Sequence, residues 1–85
     1  MSITIKVLGP GCPRCEFLLR TTEGVVAENG LDAQVSKVDD IVQILGYGVM
    51  STPALVINER VVVSGRIPSK NEIRNYIVNA TKGED

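Results

Sequence analysis

Apolar residues alternate with polar ones at the start of the chain: Ile3, Ile5 and Val7 are interleaved with Ser2, Thr4 and Lys6. A period of two sends one row of side chains to a core and the other away from it, which predicts a strand over Ser2–Leu8. From Pro13 the period changes. Cys15, Leu18, Leu19, Thr22, Val25 and Val26 fall at helical spacing, and Asn29-Gly30 is a plausible stop because both residues tolerate positive φ. Alternation returns at Leu31, Ala33, Val35 and Val38, predicting a second strand. Asp39 or Asp40 can cap a short helix through Ile41–Leu45, and Gly46 can end it. Two β-branched runs, "ALVI" and "RVVVS", flank Asn58-Glu59, a two-residue connection that reads as a hairpin. Ser69 followed by Glu72 forms a capping-box pattern, opening a helix that should bury Ile73, Tyr76, Ile77 and Ala80. The last residues, "TKGED", are polar and expected to fray.

The predicted order is βαβαββα, an α/β fold. A strand–helix–strand unit implies a parallel pair with a right-handed crossover. The hairpin then adds antiparallel strands, giving a four-stranded mixed sheet with helices on both faces. The 85 residues suffice for a single domain, 1–85, and contain no internal repeat or linker.

Charge and composition remove several function classes. A formal net charge of −1 counts against nucleic acid as main partner, since phosphate binding needs a basic surface. With no tryptophan, one phenylalanine and two tyrosines, a base-stacking platform is not expected either. No apolar run is long enough to span a bilayer, and the amino terminus enters a strand pattern without a leader-like segment, so a cytoplasmic protein is expected.

The two cysteines of the chain sit together in "LGPGCPRCEF". In a reducing cytosol such a pair is seldom a structural staple; it is redox-active or metal-binding. The position favours redox chemistry, because loops at the carboxyl ends of strands are where open α/β sheets place their sites. Cys12 directly precedes a helix predicted to start near Pro13. Unpaired backbone N–H groups and the positive end of the helix dipole there favour a thiolate. Pro13 suits the first helical turn, which needs no donor at that position. Arg14 adds positive charge and Glu16 partly offsets it. Gly11 and its neighbouring glycine let the loop turn tightly, and the prolines stiffen it. Cys15, nearly one turn on, begins the apolar stripe and should be the more buried sulfur. Cys12 is therefore the expected nucleophile and Cys15 the resolving thiol.

Two rival readings use the same residues. A thiolate pair can hold a soft metal such as Cu(I) or Zn(II), as in a metal chaperone, but a tetrahedral zinc site needs four ligands. The chain has no histidine and no third cysteine, so a metal would have two protein ligands or be shared between chains. A non-catalytic docking module is the other alternative. Lys6 either approaches the thiols or faces solvent, Tyr47 either rims the site or covers the core edge, and Arg66 either meets an anionic partner or is solvated.

Cys12-Pro13-Arg14-Cys15 after the first strand, Thr52-Pro53 before the third and Gly65 after the fourth together resemble the thioredoxin/glutaredoxin superfamily. "GVMSTPALVIN" and "VSGRIPS" are similar to its small, glutaredoxin-sized branch of redox-active disulfide proteins. The resemblance spans nearly the whole chain and implies a thioredoxin-like fold with thiol–disulfide oxidoreductase activity. It further implies a cis Thr52–Pro53 bond against the cysteine pair, with Thr52 pairing to an extended substrate and Gly65 leaving room for its backbone. No bound cofactor or metal is then needed beyond the Cys12–Cys15 disulfide. The implied partners are an upstream disulfide reductase and protein disulfide substrates, and a monomer is expected. The paired glycine and aspartate that help hold glutathione in glutaredoxins read here Ser64-Gly65-Arg66-Ile67, which counts against glutathione binding.

Overall fold

A computed structural model describes residues 3–9, 13–49 and 51–81 of the chain. The elements are β1 (Ile3–Leu8), α1 (Pro13–Glu28), β2 (Ala33–Val38), α2 (Ile41–Gly46), β3 (Ala54–Ile57), β4 (Arg60–Ser64) and α3 (Lys70–Thr81). They form one four-stranded sheet in the order β2-β1-β3-β4. β1 runs parallel to β2 from Ile3↔Ala33 to Leu8↔Val38, and antiparallel to β3 from Ile5↔Ile57 to Leu8↔Ala54. The hairpin supplies the second antiparallel pair, β3 with β4.

Alternation along the central strands divides the core into two layers. On one face Ile3, Ile5, Val7, Leu55, Ile57 and Val63 pack with Leu18 and Val25 of α1 and Ile73 and Ile77 of α3. On the other face Leu8, Ala54 and Val56 meet Ile44 of α2 and Val49. The second layer is thin: α2 contributes one buried residue, while Ile41, Val42 and Leu45 remain exposed. The helices thus lie on both faces but unequally, with α1 and α3 sharing the main core.

Local chemistry fixes the element ends. The Asp40 side chain accepts a hydrogen bond from the Val42 N–H at 2.9 Å and caps α2. Thr22, buried within α1, satisfies its hydroxyl by donating to the Leu18 carbonyl one turn back, at 2.8 Å. In the hairpin both Asn58 (φ 51°) and Glu59 (φ 66°) are left-handed, as a two-residue turn matching strand twist requires. Asn58 holds this turn to β1: its N–H donates to the Thr4 carbonyl at 2.8 Å, and its Oδ1 accepts from the Thr4 N–H at 3.1 Å. Register slips between Leu55↔Val63 and Val56↔Val61, leaving Val62 as the extra residue of a bulge. Both Val62 and Val63 can therefore pack toward the main core, although they are consecutive.

The capping box of α3 forms as its spacing predicts. Glu72 N–H donates to Ser69 Oγ at 3.2 Å, and the Ser69 N–H donates to Glu72 Oε1 at 3.0 Å. Arg66 adds a two-pronged contact to the same carboxylate, at 2.8 and 3.3 Å. The Arg66 hydrogen bond first, and then the Ser69 N–H, lower the Glu72 pKa from 4.5 to about 2. A depressed carboxyl pKa contributes stability that is complete above the unfolded value and is lost as pH falls through the folded one. Urea midpoints measured from pH 5 down to 2 should therefore drop more steeply for the parent chain than for Glu72→Gln. Parallel curves in that window would show that the capping box contributes nothing to the acid response.

Candidate active site

The site is built where β1 ends and α1 begins. Helix α1 starts at Pro13, where a missing N–H costs no intrahelical bond. Pro13 and Arg14 are exposed, whereas Cys15 is fully buried at 0% and disulfide-bonded. Cys15 heads the buried stripe continued by Leu18, Thr22 and Val25, so the apolar periodicity that folds the helix also draws this sulfur inward. Gly11 and Cys12 lie outside the described residues.

A second segment meets this one from β3. The Thr52–Pro53 bond is cis; Thr52 is half-buried and Pro53 buried. Leu8 faces Ala54 at the last rung of the β1–β3 ladder, so Gly9, which follows Leu8, and Pro53, which precedes Ala54, leave the same end of it. Gly9 in turn lies against Cys15, close enough that a Cβ built on it would overlap the Cys15 Sγ. The fold therefore joins Cys15, Gly9 and Pro53 at one end of the sheet. Gly65 belongs to the same end: its N–H donates to the Pro53 carbonyl at 3.0 Å, and it adopts φ +78°. A side chain on Gly65 would be strained in that conformation and would also stand 3.2 Å from the Ser51 Cβ.

The charged candidates are arranged differently. Glu16, in the first turn of α1, is bound by Lys37 at 3.2 Å, a partner from β2. That pairing offsets the carboxylate that opposes a thiolate at this helix end. Lys6 points away from the cysteine side. It shares the α2 face with Val56, its partner in the ladder, and donates to the Tyr47 hydroxyl at 3.0 Å and to Glu59 at 2.9 Å. Tyr47 completes the triangle by donating to Glu59 at 2.7 Å. Hydrogen bonding to Tyr47, and then to Glu59, raises the Lys6 pKa; bonds from Tyr47 and then Lys6 lower that of Glu59. The network ties α2 and the hairpin to β1. A cavity of about 290 Å³ beside it is lined by Lys6, Gln43, Gly46 and Tyr47, none of them part of the Cys15–Pro53 cluster. Arg66 is an exposed surface arginine, as one of its two sequence readings expects, and its charge is taken up by Glu72.

Sequence reasoning gave Gly9 a turning role only, missing its contact with Cys15, and missed Lys37 altogether. The signal for Gly9 was its place at a strand end just ahead of the returning helix, where two backbones must approach closely. Lys37 lies 21 residues from Glu16, beyond any local rule. Among the described residues no group of three or more His, Cys, Asp or Glu is placed to hold a metal, and no helix is long and apolar enough to cross a membrane.

Comparison with known proteins extends this picture. A family profile described as thioredoxin domain matches residues 3–78. The chain is 32% identical over 82 residues to a thioredoxin of Methanocaldococcus jannaschii, covering 96% of this chain and 94% of that protein. It is 33% identical over 73 residues to a thioredoxin of Methanothermobacter thermautotrophicus, covering 86% and 95%. Among solved structures, glutaredoxin 1 of Francisella tularensis aligns over 95% of this chain and 93% of its own, with 17% identity and a TM-score of 0.44.

Proposed function

Because this chain belongs to the thioredoxin domain family, we propose that it is a thiol–disulfide oxidoreductase acting on protein disulfides through Cys12 and Cys15. One observation supports the division of labour best: Cys15 is sealed within the first turn of α1, while its neighbours Pro13 and Arg14 are open to solvent. An inner sulfur of that kind cannot meet a protein disulfide and is left to resolve.

In the proposed cycle the Cys12 thiolate attacks one sulfur of the substrate disulfide. That disulfide breaks, a Cys12–substrate disulfide forms, and one substrate thiolate leaves. Cys15 then gives up its proton and attacks the Cys12 sulfur. The second substrate thiolate departs, and the chain is left as the Cys12–Cys15 disulfide, having passed two electrons to the substrate. An upstream dithiol reductase returns two electrons by the reverse exchange. The cysteine pair carries the electrons throughout, so no bound cofactor or metal takes part.

Chain elements around the pair have defined tasks in this reading. The first-turn N–H groups of α1 and the Arg14 charge stabilise the thiolate, and the Lys37 contact to Glu16 limits the opposing charge. The Thr52 backbone, at a half-buried position ahead of buried Pro53, pairs with an extended stretch of substrate, a short form of strand addition. Gly65, bonded to the Pro53 carbonyl, adds no side chain beside that position and so leaves room for the substrate backbone. Reduction of insulin disulfides by dithiothreitol provides the test: catalytic amounts of the protein should accelerate it well above the dithiol alone. No acceleration at any pH from 6 to 9 would overturn the assignment.

A further inference from the structure

Among the described glycines, Gly9 is constrained in a way that the others are not. Gly65 needs its left-handed φ, and Gly24 and Gly46 have open space around a notional Cβ. At Gly9 the constraint is contact alone. An added Cβ would overlap Cys15 Sγ and lie 2.7 Å from Cys15 Cβ, closer than such carbons approach. The Gly9 backbone cannot withdraw, because its N–H is bonded to the Val38 carbonyl at 2.9 Å and the preceding Leu8 is paired on both sides, with Val38 and Ala54. Nor can α1 move away freely, since Leu18 and Val25 anchor it in the main core.

We propose that Gly9 is a positioning residue for disulfide exchange: its missing side chain admits the Cys15 sulfur behind the end of β1, and so leaves Cys12 as the sulfur open to substrate. The inference rests on the dithiol reading above and adds to it what sets the direction of the exchange. With a methyl group at position 9, the side that yields is the Cys15 side chain, whose sulfur must turn outward toward solvent. Two accessible thiols would then compete for one substrate disulfide, and mixed disulfides would form at either.

The test is alkylation of the reduced protein with iodoacetamide, resolved by mass at each cysteine. In the parent chain Cys15 should react at least about tenfold more slowly than Cys12, as expected for a buried thiol. In Gly9→Ala the Cys15 rate should rise about tenfold or more while the Cys12 rate changes less than about twofold. A folded Gly9→Ala protein whose Cys15 stays protected overturns the inference. If Gly9→Ala does not fold, Gly9→Ala/Cys15→Gly decides, since glycine at 15 removes both the sulfur and the Cβ that the new methyl group meets. Recovery of the cooperative urea transition in the double variant supports the clash, and continued failure to fold, where Cys15→Gly alone folds, overturns it. The insulin assay reports separately on the oxidoreductase reading. A parent chain inactive there with the labelling contrast intact would sink that reading and leave the packing role of Gly9 standing.

Discussion

Cys12→Ser lowers insulin reduction to the level of dithiothreitol alone, a loss on the order of a thousandfold, because a hydroxyl cannot replace the attacking thiolate. Cys15→Ser gives a different outcome. Its Cys12 still attacks, so one substrate equivalent is captured, but no inner thiol remains to release it. The variant should accumulate as a covalent adduct whose mass equals protein plus one substrate molecule, and added dithiol should cleave it. Equal loss in the two variants without an adduct would mean that the sulfurs do not divide the work as burial at Cys15 suggests. The asymmetry is the informative part, since a metal-holding pair would lose its ligand set equally from either side.

The second large effect concerns stability. Leu18 is fully buried in the main core one turn after Cys15, and it joins α1 to the sheet and α3. Truncation to alanine should cost about 2–5 kcal/mol, the range for leucine cavities in packed cores. Small domains hold only about 5–15 kcal/mol in total, so Leu18→Ala should lower the urea midpoint by more than about 1 M at unchanged slope. Val42, 73% exposed on α2, provides the contrast. Its alanine variant should stay within about 0.5 kcal/mol of the parent. If the two truncations cost the same, the core has been misassigned and the unequal layering of the two faces with it.

Much of this architecture is legible in the sequence because it is written in short-range chemistry. Ile3, Ile5 and Val7 declare a strand by alternation, Pro13 marks the first helical turn, and Ser69 with Glu72 announce α3 by a spacing that the structure fills with reciprocal bonds. The burial of Cys15 is likewise legible, since it heads the same apolar stripe as Leu18 and Val25. What the sequence hides is set by distant pairings. Alternation puts Lys6 opposite Ile5 and Val7, yet the residues it meets, Tyr47 and Glu59, come from elements 41 and 53 positions away. Glu59 looks like a poor hairpin residue in isolation; its contacts with Lys6 and Tyr47 hold it in a left-handed conformation that glycine would adopt unaided. The bulge at Val62 depends on β4 needing two consecutive valines on the α3 side, which no local pattern signals. Gly9 is hidden for the same reason: its requirement comes from a sulfur six positions on that only folding brings back.

The central claim is that the first turn of α1 makes a thiolate readily available at Cys12. The rate of iodoacetamide attack on the reduced protein, followed by mass at Cys12 from pH 3 to 10, measures this directly. The account predicts an inflection within about 3.5–7.5, below the free thiol value of about 8.5. An inflection at the free thiol value, with Cys12 and Cys15 titrating alike, would contradict it.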